Sequence, residues 1–360
     1  MSVPAAQRLV VVADMHMAAG PHEVFFDDAR LAALVHTLAG EAASAPPPHL
    51  VVLGDLFDFS LVALAGAGGR RLDTSAAAAR EKLARIASEH ALVFGALRAL
   101  VAAGARIDVV PGNHDLELLM PPVWHDFRSL VAHGREERLV LHPWIFHRPG
   151  ALCAEHGHQH HDVNRVPDLL RLRERGAVPV PAGTALADWM IGRRAGDGAA
   201  RGTTRLLGRL GAWLRYRQRA RADAAYGEAV ATEATQVGLP ADALAAIHAL
   251  DPDGASRALA RTVRRVASER LSRGPHTPYM EDAALAVHRL LAAHGASVPF
   301  YVTGHTHVSA DVPLEDGARY LNPGTWSNMR PAGAGSGHHY VEIIVTDSGP
   351  RAGLRVWEGG

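Results

Sequence analysis

Two short apolar runs, at residues 9–13 and 50–53, and a third strand-like segment at 106–110 each stop abruptly in a cluster of Asp, Asn, His and Gly. A run of four or five apolar residues is too short for a helix and suits a strand buried on both faces. Between the runs lie segments with helical spacing, at 29–43 and over 76–103, the second predicted as one long helix closed by Gly104. Strand, helix and strand in alternation dictate an α/β sheet. The polar clusters then fall at the carboxyl ends of strands, where side chains converge on a site in open α/β sheets.

From about residue 163 to 297 strand-like runs vanish, and Ala, Leu and Arg dominate with helical spacing. This stretch carries 20 Arg against 13 acidic residues. Strand-type sequence resumes at 298–303, 308–312, 319–321, 339–346 and 353–357, with polar clusters on both sides of the helical stretch. The expected organisation is a catalytic domain made of 1–162 and 297–360, interrupted by a mainly helical, Arg-rich insertion at 163–296. The whole chain balances 37 basic against 37 acidic residues, so no global field marks it for nucleic acid or a membrane surface. A content of 48% hydrophobic residues excludes disorder. Cys153, the only cysteine, excludes an internal disulfide and a Cys-rich zinc site and is expected in the core. The beginning of the chain shows no basic segment followed by a long apolar one, and the uncharged run 290–310 contains Gly295, Pro299, His305 and His307. A cytoplasmic protein is expected.

The chemistry lies in five blocks: Asp14-Met15-His16, Gly54-Asp55-Leu56-Phe57-Asp58, Gly112-Asn113-His114-Asp115, His156-Gly157 and Gly304-His305-Thr306-His307. Asp-x-His and His-x-His let two ligands straddle one residue and face the same side of an extended turn. Carboxylate, imidazole and one amide, without thiolate, select Mn, Fe, Zn or Co over Cu(I). A lone buried Asp or His is ordinarily a satisfied core group. Seven at strand ends exceed the four ligands of a structural zinc and point to two metals. Such a pair, ~3.5–4 Å apart, clamps a phosphoryl group and generates hydroxide near neutral pH.

In these blocks and their order the chain resembles the calcineurin-like metallophosphoesterases, over roughly 1–162 and 297–360. The resemblance implies a four-layer αββα sandwich of two mixed sheets, here with an inserted helical cap. It implies Asp14, His16 and His307 on one metal, Asn113, His156 and His305 on the other, and Asp55 bridging. Two divalent ions, Mn with Fe or Zn as alternatives, would present a bridging hydroxide to a phosphodiester or phosphoanhydride. His114 would stabilise charge or protonate the leaving oxygen, Asp115 would fix its imidazole, and Asp58 would stand behind the ligands. The helical insert and the Asn322-Pro323-Gly324-Thr325-Trp326 turn resemble bacterial UDP-2,3-diacylglucosamine hydrolases. Those enzymes commonly carry Arg where this chain has His114.

Other histidines are read more plainly. His158, His160 and His161 follow the fourth block and are taken as solvated loop residues, with the substrate mouth as the other reading. In the insert, Arg201, Arg205 and Arg209 share one helical stripe beside Leu206, Leu207, Leu210, Trp213 and Leu214. That stripe is a solvated face, a cap gripping substrate phosphate, or a peripheral contact with an anionic membrane at the inner face. The insert leaves just after His156 and returns just before His305, which sets its base at the rim of the site. The partner expected is a phosphate-containing small molecule or lipid-nucleotide. A metal-dependent nuclease and a non-catalytic scaffold are the readings from other classes, and oligomeric state is not legible.

Overall fold

The computed structural model describes residues 6–42, 46–64, 71–194, 199–221, 225–250, 279–330 and 337–359. The first sheet consists of β1 (Gln7–Val12), β2 (His49–Leu53), β3 (Arg106–Val110), β4 (Leu139–Leu141), β10 (His338–Thr346) and β11 (Gly349–Trp357), in the order β11-β10-β1-β2-β3-β4. Its strands β1 to β4 are parallel, and β10 runs antiparallel to β1 and β11. The second sheet joins β5 (Ile145–Arg148), β6 (Leu152–Glu155), β7 (Phe300–Val302), β8 (Ser309–Pro313) and β9 (Arg319–Pro323), in the order β5-β6-β7-β9-β8.

The period-two alternation of strands sorts these apolar runs. Leu9, Val11, Val51, Leu53 and Val110 point at Leu152, Ala154, Phe300, Val302 and Leu321 of the second sheet and form the core between sheets. Their neighbours Val10, Val12, Leu50, Val52, Ile107 and Val109 face the other way. There they meet α1 (Asp28–Glu41) and α3 (Ala91–Ala102), with α2 (Ala76–Glu89) and α4 (Pro121–Val131) alongside. Helix–sheet–sheet–helix layering is completed by the last helix before β7, described below, and the α/β sandwich is the architecture expected.

Two local expectations fail. The stretch 76–103 is two helices, α2 and α3, broken at His90 (φ −100°, ψ 36°). The His90 ring is buried and donates from Nδ1 to Asp28 (2.9 Å) and from Nε2 to Glu23 (2.9 Å) and the Ala18 carbonyl (3.1 Å). A long-range polar contact of this kind leaves no trace in periodicity. The strands β4, β5 and β6 were not predicted: three or four residues with mixed polarity are too short for alternation to register. Cys153, in β6, is buried as expected.

Strands β6 and β7 are hydrogen-bonded parallel neighbours, Leu152 opposite Phe300, although the whole segment 156–299 lies between them. That segment contains α5 (Ala182–Arg194), α6 (Ala199–Arg221), α7 (Tyr226–Val237), α8 (Ala241–Ala249) and α9 (Tyr279–Ala293). Met280, Val287 and Leu291 of α9 share a core with Tyr301 and Tyr320, covering the outer face of the second sheet. In α6 the apolar residues divide: Leu206 and Trp213 are buried, while Leu207 and Leu214 are exposed. No helix among the described residues is long and apolar enough to cross a membrane.

Burial alone would lower the basicity of His90, but hydrogen bonds and charge from Asp28 and Glu23 outweigh it and raise its pKa to about 9. A histidine whose folded pKa exceeds its unfolded value stabilises the fold fully below about pH 6.5 and loses that contribution as pH rises through its folded pKa. His90→Gln should therefore be less stable than the parent in urea at about pH 6, with the gap closing by about pH 10. A gap independent of pH would show that the break is held by packing instead.

Candidate metal centre

The turns after β1, β2, β3, β6 and β7 bring the five sequence blocks to one place. Asp14, His16 and His307 offer ligand atoms within 4.8 Å of one another, as do Asp55, His156 and His305, and also His16, Asp55 and His114. Asp14, His16, Asp55 and His156 are each at most 1% exposed, and Asn113 is 4% exposed. The backbone at five of these positions is left-handed: Asp14 (φ 56°), His16 (56°), Asp55 (50°), His305 (69°) and His307 (60°). For residues with a Cβ this conformation is disfavoured by roughly 1–2 kcal/mol each, and such strain gathers at functional sites.

Close approach is the second local requirement. A Cβ on Gly112 would stand 2.1 Å from Asp55 Oδ1, and one on Gly304 would stand 2.5 Å from Asp14 Oδ2. The His114 amide donates to Asp55 Oδ1 (2.8 Å) and the His305 amide to Asp14 Oδ2 (2.9 Å). The turn at the end of β9 braces Gly304 and Asp14. Asn322 Nδ2 donates to the Gly304 carbonyl (2.9 Å), Thr325 Oγ1 to the Asp14 carbonyl (2.6 Å), and Trp326 is wholly buried beneath them.

Outer nitrogens of the imidazoles are anchored, so the inner ones face each other. His156 Nδ1 donates to the Leu53 carbonyl (3.0 Å), His307 Nδ1 to the Met329 carbonyl (2.8 Å), and His16 Nδ1 lies 3.4 Å from Asp58 Oδ2. His16 Nε2 then stands 3.0 Å from His307 Nε2, and His307 Nε2 lies 3.3 Å from Asp14 Oδ1. His156 Nε2 lies 3.2 Å from Asp55 Oδ2 but out of hydrogen-bonding alignment, and Asn113 Oδ1 is buried without a partner. Inward-facing imidazole nitrogens, two carboxylates and an orphaned amide oxygen suit divalent cations of borderline-to-hard character. Protons offset the carboxylates otherwise. Burial would raise the Asp14 pKa, yet His16 and His307 hold it down at about 2. Burial likewise opposes charge on His16 and His156, but the surrounding carboxylates lift them to about 10 and about 9.

His114 reaches the edge of this cluster, and the residue that fixes it is not the one expected. Its Nδ1 lies 2.9 Å from Asp58 Oδ2, an ion-pair distance out of hydrogen-bonding alignment. Asp115 instead accepts the backbone amides of Gly112 (2.6 Å) and Leu56 (2.8 Å), tying two of the turns together. Burial and the charge on Asp55 raise the Asp115 carboxyl to about 7. For His114 burial works against protonation, but Asp58 and Asp55 outweigh it and raise the pKa above the ordinary value. Of the histidines after the fourth block, His158 and His160 are not solvated, at 2% and 6% exposed, with His160 Nε2 bonded to Glu155 (2.7 Å), whereas His161 is half-buried.

A small cleft opens beside Asn113 and His114, between the 71–74 turn and the 178–184 stretch of the insert. Arg71, Glu117 and Thr184 line it, and none was singled out from sequence. Arg71 is held by Asp188 of α5 (2.7 Å) and His22 (2.8 Å). Burial pushes the Glu117 carboxyl up to about 7. Behind the cleft Lys82, the only lysine in the sequence, is completely buried; it donates to the carbonyls of Arg71 and Asp73 (2.9 Å to the latter). Of the three arginines proposed for substrate, Arg209 is engaged by Asp188 (2.5 Å), Arg205 is exposed, and the side chain of Arg201 lies outside the described residues.

Metal-free protein titrated with Mn²⁺ should take up two equivalents, Asp14→Ala reducing this to one and Asp55→Ala weakening both. Equilibrium dialysis with elemental analysis checks it; parental uptake by Asp55→Ala would contradict the arrangement.

No curated protein matches the chain in sequence. Among solved structures it is similar to a dimetal phosphatase from Danio rerio, at 11% identity with 98% of this chain and 99% of that one covered (TM-score 0.39). It is also similar to a phosphopantetheinyl hydrolase from Mycobacterium tuberculosis, at 12% identity over 90% and 91% (TM-score 0.29). Residues 7–184 match the calcineurin-like phosphoesterase family. The chain belongs to that family and is a metallophosphoesterase, a hydrolase of phosphoesters.

Proposed function

We propose that the chain hydrolyses a phosphodiester or phosphoanhydride bond with two divalent metals. Asp14, His16 and His307 would hold one, Asn113, His156 and His305 the other, and Asp55 would serve both. The observation that carries this reading is the pair of ligand clusters linked through His16 and Asp55, whose side-chain atoms lie 3.6 Å apart. When bound, such ions neutralise phosphoryl oxygens and acidify a water to serve as nucleophile.

The chain's own residues supply the rest. The ion pair with Asp58 turns His114 Nδ1 toward that carboxylate and would leave Nε2–H as the donor at the cleft. An imidazole whose protonated form is held by Asp58 can give that proton to a departing alkoxide. Metal ligation of His16 would leave its Nδ1–H on Asp58 as well, so one carboxylate orients both rings. Arg71, fixed at the cleft wall by Asp188 and His22, offers a positioned guanidinium to a second phosphate or an acidic group of the substrate.

Mn²⁺-dependent turnover of bis-p-nitrophenyl phosphate should exceed that of p-nitrophenyl phosphate and vanish in Asp55→Ala. Preference for the monoester would sink the diester reading. His114→Gln should lower kcat by ~10²–10⁴ on a diester with an alkyl leaving group and much less on the nitrophenyl diester, whose anion leaves without a proton. Equal losses on both would remove His114 from the role of acid.

A further inference from the structure

Of the four histidines in the metal reading, three have an outer nitrogen anchored by an acceptor already described: the Leu53 carbonyl, the Met329 carbonyl and the Asp58 carboxylate. The fourth, His305, meets another imidazole. Its Nε2 lies 2.9 Å from His161 Nδ1, with the rings 5.2 Å apart between centroids and inclined at 61°. Two ring nitrogens at that distance must be one donor and one acceptor. Asn164 Nδ2, which can only donate, lies 3.2 Å from the same His161 Nδ1 and 3.4 Å from His305 Nε2, and the shorter contact makes the His161 atom the acceptor. Asn164 itself is 7% exposed and set against Gly183, where a Cβ would come within 2.1 Å of Asn164 Oδ1.

Resting on the two-metal reading, we infer that His161 is a positioning residue for the second metal. It accepts the Nε2–H of His305 and so fixes the tautomer that leaves the His305 Nδ1 lone pair for the ion. A ligating imidazole must offer its metal a lone pair, and the partner of its other nitrogen decides which one that is. The partner comes from the segment that leads out of β6, only five positions beyond His156. Asn164, the second residue of the insertion, donates to it, so the insertion touches the support of the metal centre as well as walling its cleft.

The test compares metal uptake by the parent, His161→Phe, which keeps a ring without an acceptor, and His161→Asn, whose Oδ1 takes the place of Nδ1. His161→Ala replaces the Phe variant should that one not fold, and unfolding of each metal-free protein is measured alongside. The expected result is a second-site Zn²⁺ affinity weakened ~10–100-fold in His161→Phe, an unchanged first site, and recovery in His161→Asn. In the Zn²⁺-loaded protein, one protected imidazole N–H proton resonance should be lost in His161→Phe and return in His161→Asn. Parental affinity at both sites in His161→Phe, equal weakening of both sites, or an Asn variant as poor as the Phe variant would overturn the inference while leaving the two-metal reading intact. A parent that binds no metal would remove that reading and this inference with it.

Discussion

Three carboxylates, Asp14, Asp55 and Asp58, sit side by side at no more than 1% exposure. Removing one carboxylate from water is costly, and several together are tolerated only with compensating positive charge at short range. The imidazoles ringed around them meet that need with protons, and divalent ions would meet it more strongly. Much of the surrounding structure can be understood as holding this charge cluster in place. Turns after five strands deliver its members, and the buried Asn322–Trp326 turn locks two of those turns from below.

Such delivery works against backbone preference. Five residues of the cluster adopt left-handed φ without being glycine, a combined penalty of several kcal/mol. The sandwich absorbs it because the strands carrying these turns are anchored on both faces. Leu9 and Val11 lock into the core between sheets while Val10 and Val12 pack on helices, so the strand end cannot relax without disturbing both layers. Rigid strands and strained turns are thus complementary parts of one device, and the same logic explains why the site lies at the strand ends.

How much of this was legible in the sequence depends on the range of the interaction. The strands of the first half and the blocks at their ends could be read because burial on both faces makes a strand uniformly apolar and the polar blocks keep short fixed spacings. What could not be read depends on partners distant in the chain. His90 breaks a helix because Glu23 and Asp28 reach it from another element. Asp58 rather than Asp115 orients His114, although Asp115 is the sequence neighbour, since a turn points adjacent side chains apart. His161 looked like one of several loop histidines, and only the return of the chain at β7 places His305 against it. Arg71 follows the same rule: its partner Asp188 lies in the insert.

Lys82 has a practical consequence. Its ammonium group is sealed against two carbonyls of the turn that carries Arg71, and burial lowers its pKa. Reagents that acylate primary amines can reach it only when that turn lifts from α2. Because no other side chain in the protein bears a primary amine, the rate of modification at this one position would clock the opening of the cleft wall. Under fast reclosure it would give the free energy of that local excursion. The molecule thus carries, without any engineering, a chemical gauge of how often the rim beside His114 comes apart.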